Sequence, residues 1–300
     1  MFDNYGGLFY DFVGSAGDST IINYSGGHAV FQESSTAGDS MITNLSGGST
    51  IFVGHSTGDN AQLIADAGGT VDFSLSTGSA GLGVLKAGSI AGAGTFNLGG
   101  NELFVGSNGL STTVSGLIED GGANGLLVKE GTDTLTLSHP GNTYTGGTFL
   151  LGGTLDLDAV GAAGTGIVLF KAPATLKIEN RALSGHVFGN TVGFEIHAVL
   201  DFTGLKFHTG ASARYHPGSH HLTIHSGRVT DTLTLYQFSQ EGVHLHVSRD
   251  AHGGTKVTLV PTTHRAVAVL DGHDWDASLT AGDLAGGFHA AHLSDFLMTA

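Results

Sequence analysis

Short runs of alternating apolar residues are the main pattern of the chain, and residues 121–157 show it most clearly. The apolar residues of this stretch fall in four pairs, each separated by one residue: Leu126 and Val128, Leu135 and Leu137, Phe149 and Leu151, Leu155 and Leu157. Alternation with a period of two over so few residues predicts half-buried β-strands with these pairs turned inward. Glycine pairs and a Pro-Gly-Asn sequence lie between the pairs, where the chain must turn.

The spacing of these strands indicates how they pair. Leu126 and Phe149 are 23 residues apart, and in the N-terminal part the glycine pairs that begin at Gly26, Gly47 and Gly68 recur every 21 residues. A fixed period of this length predicts a β-solenoid, in which each strand pairs with its equivalent one coil away. Over the whole chain we expect a right-handed parallel β-helix of roughly 12 to 14 coils.

Residues at the same place in successive N-terminal repeats form columns. Three columns are suited to the interior and are predicted to stack in the core: Ile21, Ile42 and Leu63; Ala29, Thr50 and Val71; Phe31, Phe52 and Phe73. Two further columns are polar: Asn23, Asn44 and Ala65; Asp18, Asp39 and Asn60. The polar columns could bind calcium or cap turns. We expect turn caps, because the glycine-rich nonapeptide of calcium-binding β-rolls does not occur.

Three segments carry a family resemblance. The sequences LVKEGT at residues 127–132, LTLS at 135–138 and NTYTGGT at 142–148 follow one another in a fixed order. This order resembles the autotransporter-associated β-strand repeat of bacterial autotransporter passenger domains, and the resemblance extends over residues 87–157. It implies a right-handed parallel β-helix on an extracellular protein, with no catalytic residue.

The composition favours one elongated all-β object. The 300 residues include 50 glycines, four prolines and only 12% charged residues. The net charge of −15 argues against a nucleic-acid partner, because phosphate binding needs clustered Lys and Arg. There is no cysteine, which excludes a disulfide framework and a thiolate metal site. We found neither a stretch of about 18 apolar residues nor an N-terminal signal peptide.

The pattern changes after Arg181. Fourteen of the 17 histidines lie in the last 120 residues, and the predicted strands become longer. Residues 200–259 are similar to a C-terminal β module of large surface or secreted proteobacterial proteins. We therefore predict parallel β-helix repeats over residues 1–180, a more globular His-rich β module over 181–262, and a tail or cap over 263–300. The last residues also resemble the tail signal of type I secreted proteins, although a capping strand or a truncated reading frame is the favoured interpretation.

Histidine and carboxylate groups are the candidate chemical sites. His216, His220, His221 and His225 crowd one predicted hairpin, and His244 and His246 share a strand face. Such spacing could hold zinc or nickel, but no carboxylate accompanies it at a fixed distance, so a solvated His-rich face is expected and no metal site is predicted.

The aspartates of residues 155–158 are the second candidate. Asp156 and Asp158 alternate with Leu155 and Leu157, which predicts two outward carboxyl groups about 7 Å apart. A glycosidase needs such a pair beside a cleft. However, any strand with an apolar inner face produces such pairs, and no nucleophile elbow indicates a Ser-His-Asp triad.

The sequence thus predicts a non-catalytic, adhesin-like β-solenoid passenger without catalytic residue, cofactor or metal. It would be secreted or on the bacterial cell surface and present loops to a host surface, the extracellular matrix or a polysaccharide. Self-association through the ends or sides of the solenoid is a further expectation. The alternative is an extracellular polysaccharide lyase or glycosidase on the same fold. A passive coat or biofilm protein would differ from an adhesin only in lacking a specific ligand.

Overall fold

The computed structural model describes residues 1–262. These residues form one compact unit of 28 β-strands and one short 3-10 turn at Asn180–Ala182. The predicted tail at 263–300 lies outside the described residues. The strands, in chain order, are β1 Phe2–Asn4, β2 Gly7–Tyr10, β3 Thr20–Asn23, β4 His28–Phe31, β5 Met41–Asn44, β6 Ser49–Gly54, β7 Gln62–Ala65, β8 Thr70–Ser76, β9 Val84–Ala87, β10 Ser89–Ala91, β11 Thr95–Asn97, β12 Glu102–Val105, β13 Thr112–Val114, β14 Leu117–Glu119, β15 Leu126–Lys129, β16 Thr134–Leu137, β17 Gly147–Leu150, β18 Thr154–Leu157, β19 Val168–Phe170, β20 Thr175–Ile178, β21 Leu183–Ser184, β22 Val187–Gly193, β23 Val199–Phe202, β24 Ser212–His216, β25 His221–Ser226, β26 Val229–Leu235, β27 Val243–Arg249 and β28 Thr255–Pro261.

The strands stack as a parallel β-solenoid, which confirms the predicted fold. One stack runs β1-β3-β5-β7-β10, passes through a single bridge between Gly92 and Val114, and continues β13-β16-β18-β20-β23. A second stack runs β2-β4-β6-β8-β11-β14, and a third runs β9-β12-β15-β17-β19-β22. The first stack therefore counts about 10 turns. At the spacing of neighbouring strands these turns rise by roughly 45 Å.

The solenoid has fewer coils than the 12 to 14 predicted, because the chain stops coiling after β23. Strand β28 pairs antiparallel with β23 and β27 pairs antiparallel with β28. In the third stack, β26 still pairs parallel with β22, whereas β25 and β24 follow as antiparallel hairpin partners. Most of the strands after β23 thus form hairpins that extend two of the stacks. The predicted division between residues 1–180 and 181–262 stays a prediction.

The predicted interior columns are confirmed. Strand partners link Ile21 to Ile42 and Ile42 to Leu63, with all three side chains buried. The aromatic rings form a continuous stack: Tyr10 on Phe31 at 4.7 Å, Phe31 on Phe52 at 5.1 Å, and Phe52 on Phe73 at 5.0 Å between centroids. One coil cannot bury its apolar face alone, so this stacking between neighbours is what closes the core.

The inward face was predicted wrongly for two strands. In β15 the core residue is Leu127 and in β17 it is Leu150, one position away from the predicted pairs. Val128 instead pairs with Phe149 in a separate column that continues to Leu169. Both faces of these strands are apolar, so alternation alone could not distinguish the inner from the outer side.

No helix among residues 1–262 is long and apolar enough to cross a membrane.

Candidate functional site

The predicted acidic pair lies on a sheet face where charges alternate from strand to strand. Asp156 of β18 is the strand partner of Lys177 in β20, which is the partner of Asp201 in β23, which is the partner of Lys256 in β28. Lys177 Nζ lies 2.8 Å from Asp156 Oδ2 and 2.7 Å from Glu179 Oε1. Although partial burial opposes its charge, these two carboxylates raise the pKa of Lys177. Opposite charges at directly paired positions stabilise strand pairing.

The second predicted carboxylate is also paired. Arg181 holds Asp158 through two hydrogen bonds, Nε to Oδ1 at 2.9 Å and Nη2 to Oδ2 at 2.8 Å. This fork geometry is the strongest form of a surface ion pair. Both outward aspartates are therefore engaged by cations from the adjoining coil region, which favours a role in holding coils together.

The end of this ladder contains a pair of carboxyl groups. Asp201 of β23 and Asp250, in the turn between β27 and β28, are neighbours and are each 8% exposed, and one oxygen of each, Asp201 Oδ1 and Asp250 Oδ2, is buried without a hydrogen-bond partner among residues 1–262. Burial and the adjacent Asp250 raise the pKa of Asp201 to about 6. The Asp250 Oδ1 atom accepts hydrogen bonds from the backbone N–H groups of His252 and Gly254, at 2.7 and 2.6 Å, which hold its pKa low in spite of burial. The two carboxyl groups thus meet where the last coil joins the antiparallel hairpin.

The asparagine column turns inward and forms an amide ladder. Asn4 Nδ2 donates to Asn23 Oδ1 and Asn23 Nδ2 donates to Asn44 Oδ1, each at 2.7 Å. Thr50 Oγ1 also donates to Asn44 Oδ1, at 2.9 Å. Glycine is required beside the ladder, because a Cβ at Gly48 would clash with the carbonyl oxygen of Asn23. The prediction that these asparagines cap turns is wrong, since Asn23 and Asn44 bond to the next coil.

The aspartate column is exposed and also links coils. Asn60 Nδ2 donates to Asp39 Oδ1 at 2.8 Å. The turns themselves are capped by hydroxyl groups three residues before the aspartate column. Ser15 Oγ accepts from the N–H of Gly17, and Thr36 and Thr57 cap the equivalent turns of the next coils in the same way. The column of hydroxyl side chains, and not the aspartate column, therefore caps the turns.

The predicted histidine group is divided in the structure. His216 and His221 are strand partners at the turn end of the β24–β25 hairpin, next to His220, whereas His225 pairs with Ser212 at the opposite end. Individual rings bond to hydroxyl groups: His216 Nε2 to Thr223 Oγ1 at 3.1 Å, His220 Nδ1 to Tyr215 Oη at 3.2 Å and His225 Nδ1 to Thr230 Oγ1 at 2.6 Å. His244 and His246 lie exposed on β27. Within residues 1–262 no three or more His, Asp or Glu side chains converge as metal ligands.

The NTYTGGT turn is bound to the preceding coil through Asp120. Thr145 donates to Asp120 Oδ2 from its backbone N–H at 2.8 Å and from its hydroxyl at 2.7 Å. The N–H groups of Gly122 and Gly125 donate to the same carboxylate at 2.7 and 2.9 Å. Although burial opposes its ionisation, these bonds lower the pKa of Asp120. The carboxylate therefore holds two turns of adjacent coils in register.

Two further residues of this motif are buried and bond across coils. Asn142 accepts from the N–H of Ile118 at 2.8 Å and donates to the carbonyl oxygen of Ala162 at 2.7 Å, one contact on each side of its coil. The Tyr144 hydroxyl lies 2.7 Å from Thr148 Oγ1, and burial raises its pKa. The motif thus performs a structural task in the solenoid.

Sequence reasoning missed the buried lysine of this region. The side chain of Lys129, in β15, points into the core of the solenoid and has no exposed surface. Its Nζ atom lies 3.3 Å from Asp133 Oδ1 and donates a hydrogen bond to the carbonyl oxygen of Glu130. Burial lowers the pKa of Lys129, while Asp133 opposes that shift. The sequence did contain a sign of this ion pair, because the lysine interrupts an apolar strand and an aspartate follows it four residues later.

One comparison with known proteins identifies this region. Residues 127–157 match the family model described as the passenger-associated-transport-repeat. No curated protein matches the chain. The matched segment is the one that contains the buried lysine, the NTYTGGT turn and strands β16 to β18. The chain therefore carries an autotransporter passenger repeat, built into a parallel β-solenoid of the kind that autotransporter passenger domains adopt.

Proposed function

We propose that this chain is a non-catalytic, adhesin-like passenger of the bacterial cell surface, a rigid β-solenoid that presents loops to a host surface, the extracellular matrix or a polysaccharide. The passenger repeat implies a secreted or cell-surface location. The observation that supports the scaffold role is that outward charges are used between coils: Asp156 contacts Lys177, and Asp158 contacts Arg181.

Stiffness is the property that such a scaffold needs. Each inner strand bonds to the coil before and the coil after it, so backbone polar groups are satisfied along the stack. The asparagine ladder and the aromatic stack add side-chain contacts in the same direction. A protease has few accessible backbone segments on such a stack, which suits an exposed extracellular protein.

A surface-binding assay and a glycan-degradation assay together test this proposal. We expect the purified chain to be retained on a surface coated with extracellular-matrix proteins or polysaccharides and to release no reducing ends from acidic or neutral glycans. The alternative is a polysaccharide-active enzyme. It is favoured only by Asp201, whose raised pKa is typical of a general acid.

The same residue decides between the two functions. If reducing ends or unsaturated sugars appear and are lost in the Asp201→Asn variant, the scaffold proposal is refuted. Asp158→Asn is the matched control, because it removes a carboxylate of the same face that is held by Arg181.

A further inference from the structure

Charge is distributed unequally along this acidic chain. Residues 1–180 contain four Lys and Arg against 16 Asp and Glu, whereas residues 181–262 contain six against five and ten histidines in addition. A positive site is therefore expected in the second of these two parts. Asymmetry of this kind is a common sign of an anionic partner.

A groove in the second part gathers three of its basic side chains. It has a volume of about 510 Å³ and is lined by Lys206, His208 and Arg228, together with Ser226, Gly227 and neighbouring residues. All three basic side chains are exposed. Neither Lys206 nor Arg228 forms an ion pair with a residue in the part of the chain that the structure describes.

The groove is built by a buried hydroxyl that fixes the loop carrying Lys206 and His208. Ser226 is 2% exposed, and its Oγ atom accepts from the N–H of His208 at 2.9 Å and donates to the carbonyl oxygen of Lys206 at 2.7 Å. Two backbone groups of the loop are thus tied to the end of strand β25. The basic side chains are held at one place because their backbone is fixed there.

The hairpin tip supplies the third cation in a defined position. Ser226 pairs with Val229, so the loop between β25 and β26 has two residues, Gly227 and Arg228. Gly227 has a φ of +65°, as the first central residue of a tight hairpin turn requires. A Cβ at this position would lie 2.8 Å from His208 Cδ2, so the absence of a side chain lets the imidazole pack against the turn that carries Arg228.

We propose that this groove binds the carboxylate or sulfate groups of an acidic polysaccharide. The inference rests on the proposed adhesive function and names its ligand class. An arginine fork, a lysine and an imidazole N–H are suitable donors for planar carboxylates and for sulfate. A nucleic acid is a poorer match, because its closely spaced phosphates would continue beyond the three cations of the groove and be repelled by the acidic solenoid. In an acidic polysaccharide, neutral sugar atoms separate the charges.

Binding of the full chain to four defined polymers tests the proposal. Hyaluronate offers carboxylates, heparin adds sulfates, polyadenylate offers phosphates, and dextran is neutral. We expect binding to hyaluronate, heparin or both, and not to dextran. Lys206→Gln and Arg228→Gln should each weaken it about tenfold or more, as the loss of a charge-assisted hydrogen bond predicts.

The matched control is Arg214→Gln, which removes the same charge from an exposed position on β24, outside the groove. It should change affinity by less than about twofold, since an exposed charge outside the groove makes no direct contact with the ligand and is screened by salt. Binding to heparin alone or hyaluronate alone supports the proposal and identifies the group recognised. Three results overturn it: no binding to either sugar polymer, equal loss in Arg214→Gln, or equally tight binding of polyadenylate.

The adhesion assay on the same variants separates this inference from the proposed function. Suppose that Lys206→Gln and Arg228→Gln adhere to a matrix-coated surface as well as the parent does and bind each polyanion as tightly. The groove is then not the polysaccharide-binding site, although the adhesive function stands. If the parent binds heparin but adheres to no surface, the groove stands and the adhesive function fails.

Discussion

The aromatic stack gives the sharpest stability prediction. Phe52 has no exposed surface and lies between two parallel rings, Phe31 at 5.1 Å and Phe73 at 5.0 Å. The Phe52→Ala variant removes the ring from the middle of this stack. Because both neighbours are fixed by strand pairing on either side, they cannot close the space, and a cavity should remain.

The size of the effect can be worked from the structure. Truncation of a fully buried phenylalanine costs about 3–5 kcal/mol, and each stacked aromatic pair adds roughly 0.5–1.5 kcal/mol beyond its buried area. With two such pairs the loss should lie at the upper end, about 5 kcal/mol. Tyr10 has one neighbour, Phe31, and is only partly buried, so Tyr10→Ala should cost about 1–2 kcal/mol.

Urea unfolding measures these differences, and hydrogen exchange locates them. Because coils contact only their neighbours, the lost protection in Phe52→Ala should concentrate in strands β4, β6 and β8. Ile51→Ala is the control, since Ile51 lies on the same strand with its side chain on the partly exposed outer face. Equal destabilisation by Phe52→Ala and Ile51→Ala would refute the assigned register.

Three further predictions concern buried charges. Asp201 has its pKa raised to about 6, above the ordinary value near 3.9, so the folded state binds the extra proton and the free energy of unfolding should fall by about 2–3 kcal/mol as pH rises from 4 to 7. Asp201→Asn should remove this slope and stabilise the protein at pH 7.5, as measured by denaturation at each pH. Lys129→Met should cost about 3–5 kcal/mol by leaving Asp133 buried without its partner, whereas Lys129→Met combined with Asp133→Leu should recover most of that loss in urea unfolding. Asp120→Ala should cost at least about 3 kcal/mol, and Thr145→Val, which loses only the hydroxyl bond, about 1 kcal/mol, by thermal unfolding.

Each of these three predictions can fail in a specific way. A pH slope that persists in Asp201→Asn would assign the proton to another group. A double variant at positions 129 and 133 that is as unstable as Lys129→Met would mean that the lysine stem, and not its charge, fills the core. Equal effects of Asp120→Ala and Thr145→Val would indicate that the backbone bonds of the carboxylate contribute nothing.

The repeating part of the fold could be predicted from sequence because the repeat itself carries the information. Phe31, Phe52 and Phe73 recur at one spacing, and this spacing is also the strand register, so the stack followed directly. Coils of the β15 to β19 region were harder. There Val128 and Phe149 make the outer face apolar as well, and alternation then points to neither side.

The sites that join coils to hairpins could not be predicted in the same way. Asp201 and Asp250 are separated by 49 positions and meet only because β28 reverses direction against β23. Lys206 and Arg228 converge because Ser226 ties a loop to a hairpin end. A periodic pattern predicts contacts between equivalent positions, such as that of Asp201 with Lys177, whereas Asp250, Lys206 and Arg228 lie where the repeat has ended.

The two parts of the described chain use the same residue types for different purposes. In the solenoid, Asp156 pairs with Lys177 one coil away, and Asn4, Asn23 and Asn44 bond to one another from coil to coil. Such a side chain is committed to the stack and has little capacity left for a ligand. Where coiling ends, Lys206 and Arg228 have no equivalent above or below them, and their donors face solvent. Ligand recognition by this protein is therefore expected where the repeat is interrupted, and the repeat supplies the rigid body that presents it.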